Sequence, residues 1–337
     1  MLELGAKELI QSLDKLMYDF DLEKISGFID HNFAPNAKIQ LAHPFETLSN
    51  PQALAYEVYQ PLLEAVPDLE KRTYISMAGE ARGACWVGVA GYYTGSFLEP
   101  WLDIPPTGHQ MSMRFHEFYR VEDNKVVEVQ ALWDIPQLMM QAGVWPMVPS
   151  LGWEWNPPAP ASNDGLVAGT DIAQAQASLN LVGDMLTGLS KHATGGVEAM
   201  ELEKYWHEKC SWYGPSGIGT ARGIQGFRNW HQIPFLNALP NRRTKEGVGY
   251  LFADKNYVGF TAWPGMEMTV SGSGWLGIAP SNKEITMRSL DFWRCENGKI
   301  RENWVLVDLL HVYDQLGVDV LGRMRELNKA RYRQFDR

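Results

Sequence analysis

Residues 101–144 read WLDIPPTGHQMSMRFHEFYRVEDNKVVEVQALWDIPQLMMQAGV, and residues 275–318 read WLGIAPSNKEITMRSLDFWRCENGKIRENWVLVDLLHVYDQLGV. The two stretches align without a gap at a constant offset of 174, and 16 of the 44 positions are identical. The identities include Trp101/Trp275, Arg114/Arg288, Phe118/Phe292, Arg120/Arg294, Glu128/Glu302, Asp134/Asp308, Gln141/Gln315 and Gly143/Gly317. An ungapped match of this length marks a duplicated structural unit.

Upstream the repeat continues with small gaps. Pro61-Leu62-Leu63-Glu64-Ala65-Val66-Pro67-Asp68 answers Pro234-Phe235-Leu236-Asn237-Ala238-Leu239-Pro240-Asn241. In the same segment His43-Pro44 is set against Gly214-Pro215. Between the copies the stretch WNPPAPASNDG carries no period and reads as a connector. The division expected is 1–146 for the first domain, 147–170 for the connector, and 171–337 for the second domain with a helical tail. Trp153 and Trp155 are expected to pack on a domain.

Each copy opens with helices. Leu9, Leu13, Leu16, Met17 and Phe20 follow the helical period, which predicts helices over 6–20 and 22–31. The second copy predicts helices over 172–189 and 198–208, and a third helix is expected over 51–66 and 222–239. Long strands follow, over 111–121 and 126–135 in the first copy and 285–295 and 300–309 in the second. The turns Glu122-Asp123-Asn124-Lys125 and Glu296-Asn297-Gly298-Lys299 close hairpins. Helices first and an antiparallel meander after is an α+β pattern. No glycine-rich loop follows a strand, so no nucleotide cofactor is expected.

The chain has 337 residues, enough for two cores. Its net charge of −10 argues against nucleic acid as a partner. No apolar run approaches the roughly 20 residues of a membrane span, and the N-terminus lacks an apolar secretion core, so no membrane partner and a cytoplasmic location are expected. The basic stretch over 323–337 is interleaved with acids and reads as a solvated helix. Cys85, Cys210 and Cys295 lie far apart, in no metal-ligand spacing, and no metal is expected. The 13 tryptophans suit small-molecule pockets and interfaces alike.

Both copies end on the same pattern: a strand opening on Asp/Gly-x-Lys-Ile/Val, then Asp134 or Asp308, then Gln141-x-Gly143 or Gln315-x-Gly317. With Asp103-Ile104-Pro105-Pro106-Thr107-Gly108 and Pro67-Asp68, this resembles the SnoaL-like polyketide cyclase family of the nuclear-transport-factor-2-like superfamily. The resemblance covers all but the connector and tail. It implies two tandem cones, each a curved antiparallel sheet wrapped around helices with a deep pocket open at one end. It also implies that Asp134 and Asp308 are acid/base groups. Copy one departs from the family at Gln130, where copy two has Trp304, and at Tyr93, where many members carry histidine.

The residues themselves leave alternatives open. Strand alternation puts Glu302, Trp304, Leu306 and Asp308 on one face, where burial beside apolar side chains would raise the aspartate's pKa. Asp134 and Asp308 also stand where a helix N-cap belongs. Arg114 and Arg288 would hold an acidic substrate group or pair with Glu128 and Glu302, the pairing being favoured. Glu117 and Asp291 stand on the opposite strand face, and alternation does not decide which face looks into the pocket. His116 and His231 are acid/base candidates, with a structural role as the alternative. Trp212, Tyr213, Trp275 and Trp101 are candidate pocket walls. Two functions follow. One is a cofactor-free enzyme working by proton transfer on an apolar, carbonyl-bearing small molecule through cyclisation, isomerisation or dehydration. The other is a non-catalytic binder of a hydrophobic molecule, with one copy serving as the pairing partner. An intramolecular pseudo-dimer is expected, with a homodimer of whole chains as a weaker addition.

Overall fold

The first helix, Leu2–Tyr18, buries Ile10, Leu13 and Met17 along one stripe. The second, Leu22–Asn32, starts where the Asp21 carboxylate accepts the Lys24 N–H. In this computed structural model, residues 2–245 and 247–329 are described. After the helices come β1 (Phe33–Leu41), β2 (Glu70–Ala81), β3 (Ala84–Ser96), β4 (Gln110–Glu122) and β5 (Lys125–Trp133). They form one sheet in the order β1-β5-β4-β3-β2, antiparallel except for β1 on β5.

The second copy repeats the plan. Helix Ile172–Ser190 is capped by Asp171. Its strands are β6 (Trp206–Tyr213), β7 (Thr220–Arg222), β8 (Arg243–Thr244), β9 (Tyr250–Asp254), β10 (Tyr257–Thr269), β11 (Glu284–Glu296) and β12 (Lys299–Val307). They form a separate sheet in the order β7-β6-β12-β11-β10-β8, with β9 on β10. The helix expected over 198–208 is replaced by a 3-10 turn at Glu198–Met200 and a short helix at Leu202–Tyr205, broken at left-handed Glu201 and ended where Trp206 pairs with Ile300 as β6 begins. The basic stretch forms a helix over Val320–Leu327; residues 330–337 lie outside the described residues.

Equivalent residues make equivalent bonds. Trp101 bridges Ile104, and Trp275 bridges Ile278. Gln141 accepts the Ser112 N–H at 2.9 Å, and Gln315 accepts the Thr286 N–H at 2.8 Å. A turn of π-helix recurs at Leu54–Tyr59 and Arg228–Gln232, a form common at functional positions.

The outer faces of the two sheets pack on each other. Phe118 of β4 stacks on Phe292 of β11, with centroids 4.9 Å apart. The register partners of these rings are Gly88 and Gly259, and a Cβ on Gly88 would lie 2.8 Å from the Phe292 ring. The missing side chains are what let the rings meet. Trp86, Leu132, Leu290, Trp304 and Leu306 complete this core. At its edge Lys7 pairs with Asp254, which also accepts the Ala78 N–H at 3.0 Å.

Two reciprocal clamps close the contact. Asp134 pairs with Arg114 at 3.2 Å and accepts the Ser216 N–H at 3.0 Å from the loop after β6. Asp308 pairs with Arg288 at 3.1 Å and accepts the His43 N–H at 3.0 Å from the loop after β1. The structure therefore equates His43 with Ser216, two residues from the alignment that set His43 against Gly214. The connector is stitched to both sheets. Leu166 bridges Ser76, Trp153 bridges Thr220, and the Trp304 indole donates to the Pro158 carbonyl at 3.1 Å. The Trp155 indole donates to Thr220, whereas the Trp153 side chain is 75% exposed. Phe118→Ala is expected to lower the unfolding free energy by about 3–5 kcal/mol in urea titration; a loss under about 1 kcal/mol would deny the stack its structural role.

Candidate functional site

In β11 the alternation sends Leu290 and Phe292 into the contact between copies, and Ser289, Asp291 and Trp293 toward the helices of their own copy. In β4 it sends His116 and Phe118 outward and Phe115, Glu117 and Tyr119 inward. Glu117 and Asp291 are thus equivalent carboxyls on the two inner faces. Their surroundings differ.

Glu117 is saturated. It accepts Lys71 Nζ at 2.8 Å, the Tyr93 and Tyr119 hydroxyls at 2.7 Å each, and the Trp133 indole N–H at 3.1 Å. Burial pushes its carboxyl up, but the Lys71 ammonium and the hydroxyl donors outweigh it and hold the group below the usual carboxylate range. Lys71 also pairs with Asp14 at 2.8 Å. Aromatic rings fill the rest of the cone: Tyr93 lies 5.0 Å from Phe115 and 5.1 Å from Trp133, and Trp133 lies over Tyr59. Trp101 packs into the same cluster.

Asp291 has none of this. Ser289 Oγ at 3.3 Å is its one side-chain partner among the described residues. Burial pushes its carboxyl up to about 8, with Ser289 pulling slightly the other way. Val305 and Phe260 flank it in register. One row along, Trp212, Asn303 and Trp293 align across three strands. The residues that fill the first cone are cut back here. Phe115 becomes Ser289, and Trp133 becomes Val307. Among the described residues, the indole N–H groups of Trp293 and Trp206 and the Gln232 carbonyl oxygen are buried without hydrogen-bond partners. His231 stacks on Trp212 at 3.9 Å, and burial pushes its imidazole down to about 3, so it is neutral. Phe235 meets Trp275 edge-on at 5.5 Å.

The structure thus brings Asp291, Trp212, His231 and Trp275 to the inner side of the second copy. It places Asp134, Asp308, Arg114, Arg288, His116, Tyr213 and Trp304 in the contact between copies. Asp308 stands there because Trp304 and Leu306, which share its strand face, belong to the outer core. Burial pushes its carboxyl up, and Arg288 pulls it back without cancelling the rise. Asp308 also caps the following helix through the His311 N–H, whereas the Asp134 side chain makes no cap bond. The pairing expected of Arg114 and Arg288 with Glu128 and Glu302 is replaced. Those glutamates take Arg120 and Arg294, their cross-strand partners six residues further along each strand. His116 Nδ1 lies 2.7 Å from the Leu290 carbonyl oxygen; burial pushes its imidazole well below the ordinary value, so the neutral ring donates. Residue reading passed over Ser289, Trp293 and Asn303. Their signal was alternation about Asp291 and the loss of bulk between copies at Phe115/Ser289 and Trp133/Val307.

A family model described as SnoaL-like polyketide cyclase matches residues 7–142 and 194–316. Among solved structures, AclR of Streptomyces galilaeus is 23% identical, covering 42% of this chain and 97% of its own, with a TM-score of 0.36. IdmH of Streptomyces antibioticus is 21% identical, covering 41% and 98%, with a TM-score of 0.34. TsrD of Streptomyces laurentii is 17% identical, covering 40% and 96%, with a TM-score of 0.33. No curated protein matches the chain at a significant level.

Glu117→Gln should lower stability by about 3 kcal/mol or more, because it leaves the buried Lys71 with half its counter-charge. The linkage has a definite sign. Glu117 is held low in the fold, so its contribution is present above the unfolded value of about 4.3 and is lost as pH falls through the folded value. Urea midpoints of wild type and variant should converge on acidification; parallel pH dependence would contradict the assignment.

Proposed function

The chain belongs to the SnoaL-like polyketide cyclase family, and from that premise we propose that it is a cofactor-free acid/base enzyme whose chemistry resides in the second copy, with Asp291 as the proton carrier. The observation that carries this reading is the contrast between the two inner carboxyls. Glu117 is saturated by four donors, while Asp291 is buried beside one serine hydroxyl with an unpaired indole N–H two residues away.

A carboxyl lifted to about 8 is a strong base once ionised. It takes a proton from carbon next to a carbonyl and returns it after the enolate has closed a ring, shifted a double bond or expelled water. The Trp293 N–H is suited to the oxygen on which that charge develops. The substrate is an apolar, carbonyl-bearing small molecule. It would take the space given up by Ser289 and Val307, against walls made by Trp212, Trp275 and neutral His231. Asp308 and Asp134 are read as holding the copies together, since each is engaged by an arginine and by a loop of the other copy.

A hydrophobic aryl β-ketoester in deuterated water tests this by NMR. Wild type should accelerate exchange of the proton between the carbonyls, with a rising pH limb near 8. Asp291→Asn should cut the rate by about 10²–10⁴. The same variant should be more stable at neutral pH. Folded Asp291 keeps a proton that the unfolded chain releases, so wild type loses stability as pH rises from the ordinary aspartate value toward 8. A gain of a few degrees in melting temperature is expected, about what 1 kcal/mol or more gives in a chain of this size. Exchange unchanged in the variant, or binding with no acceleration in wild type, would overturn the catalytic reading.

A further inference from the structure

A second site lies away from the inner face, on the outer side of the first sheet, where the connector crosses it. A cleft of about 360 Å³ is bounded there by Tyr74 on β2, Tyr92 on β3, Ser112 and Arg114 on β4, and Pro157 and Pro158 of the connector. Its lining combines flat rings with polar groups, Arg72, Thr73 and Asn156 among them. The two tyrosine rings lie 6.4 Å apart at 40°, and the prolines face them.

Among the described residues, three buried polar atoms of its lining side chains have no hydrogen-bond partner: Ser112 Oγ, Tyr74 OH and Arg114 Nε. Arg114 is 2% exposed and Ser112 8%. A buried polar group left unpaired costs about 1–3 kcal/mol, so three around one cleft call for an occupant. Three bonds already use the terminal nitrogens of Arg114. Nη1 donates to the Tyr213 carbonyl, and Nη2 donates to the Gly214 carbonyl and to Asp134. All three unpaired atoms can donate, so their complement is an acceptor. The repeat shows that the deficit is not inherent in the fold. In the second copy Thr286 stands where Ser112 does, and its hydroxyl donates to Gln315 at 3.1 Å.

We propose that this cleft binds a small aromatic carboxylate. A carboxylate offers lone pairs for one guanidinium N–H and two hydroxyls together, and a planar ring fits between tyrosines and prolines. The volume lies within the ordinary range of small-molecule sites, roughly 300–1,000 Å³.

Benzoate is the probe and benzamide its neutral counterpart, titrated calorimetrically into the full chain. Benzoate should bind at one site about tenfold or more tighter than benzamide. Tyr74→Phe and Ser112→Ala should each weaken benzoate about fivefold to tenfold. Both should keep or raise the melting temperature, because each removes an unpaired hydroxyl. Asp291→Asn should leave benzoate affinity unchanged, which separates this site from the inner face. No benzoate binding would mean that water serves the unpaired atoms, and would overturn the proposal. So would equal affinity for benzamide, affinity indifferent to both substitutions, or affinity lost with Asp291.

Discussion

The Phe118–Phe292 stack is the contact on which the rest of the arrangement depends. It buries the outer face of each sheet in the other, leaves no room for a side chain at Gly88 and crowds one at Gly259. An aromatic pair of this kind adds about 0.5–1.5 kcal/mol beyond the area it buries. Once the outer faces are used for packing, the side chains in phase with Phe292 along the middle of the last two strands are committed to the contact, Leu290, Trp304, Leu306 and Asp308 among them. The opposite phase, which holds Asp291 and Trp293, is left to the inner side of the second copy. The aspartates at the strand ends then act as clasps, each reaching a loop of the other copy.

The two inner carboxyls show how environment, not residue type, sets character. Glu117 and Asp291 occupy the same place on the same strand. One is met by an ammonium, two hydroxyls and an indole N–H, and its charge is fixed. The other is met by a serine at 3.3 Å, and burial dominates. A few positions decide this: Phe115 against Ser289, Trp133 against Val307, and Tyr93, whose hydroxyl reaches Glu117 directly.

Much of the fold was legible because its signals are local. Helical spacing and the two hairpin turns lie within short windows of the chain, and the repeat is an ungapped match of 44 residues. The start of β6 at Trp206 was missed because a two-turn apolar pattern does not separate a helix end from a buried strand. The site was less legible for a different reason. Alternation divides a strand into two faces without saying which faces inward, and that is settled by the other copy, through contacts such as Phe118 on Phe292. The glycines opposite the phenylalanines carried part of this information. A Gly88 in register with Phe118, repeated as Gly259 with Phe292, is what a close approach of two sheets requires.

The cut-back residues of the second cone have a consequence for how such a molecule can change. In a dimer of identical subunits every substitution appears twice, so a cavity opened in one barrel is opened in both, and stability falls by twice the amount. Here the copies are covalently joined and their sequences differ. Phe115 and Trp133 can fill one interior while the smaller Ser289 and Val307 stand at the same places in the other. The linkage frees the two halves from twofold symmetry, letting one serve as a rigid platform and the other tolerate the strain of a half-satisfied acid.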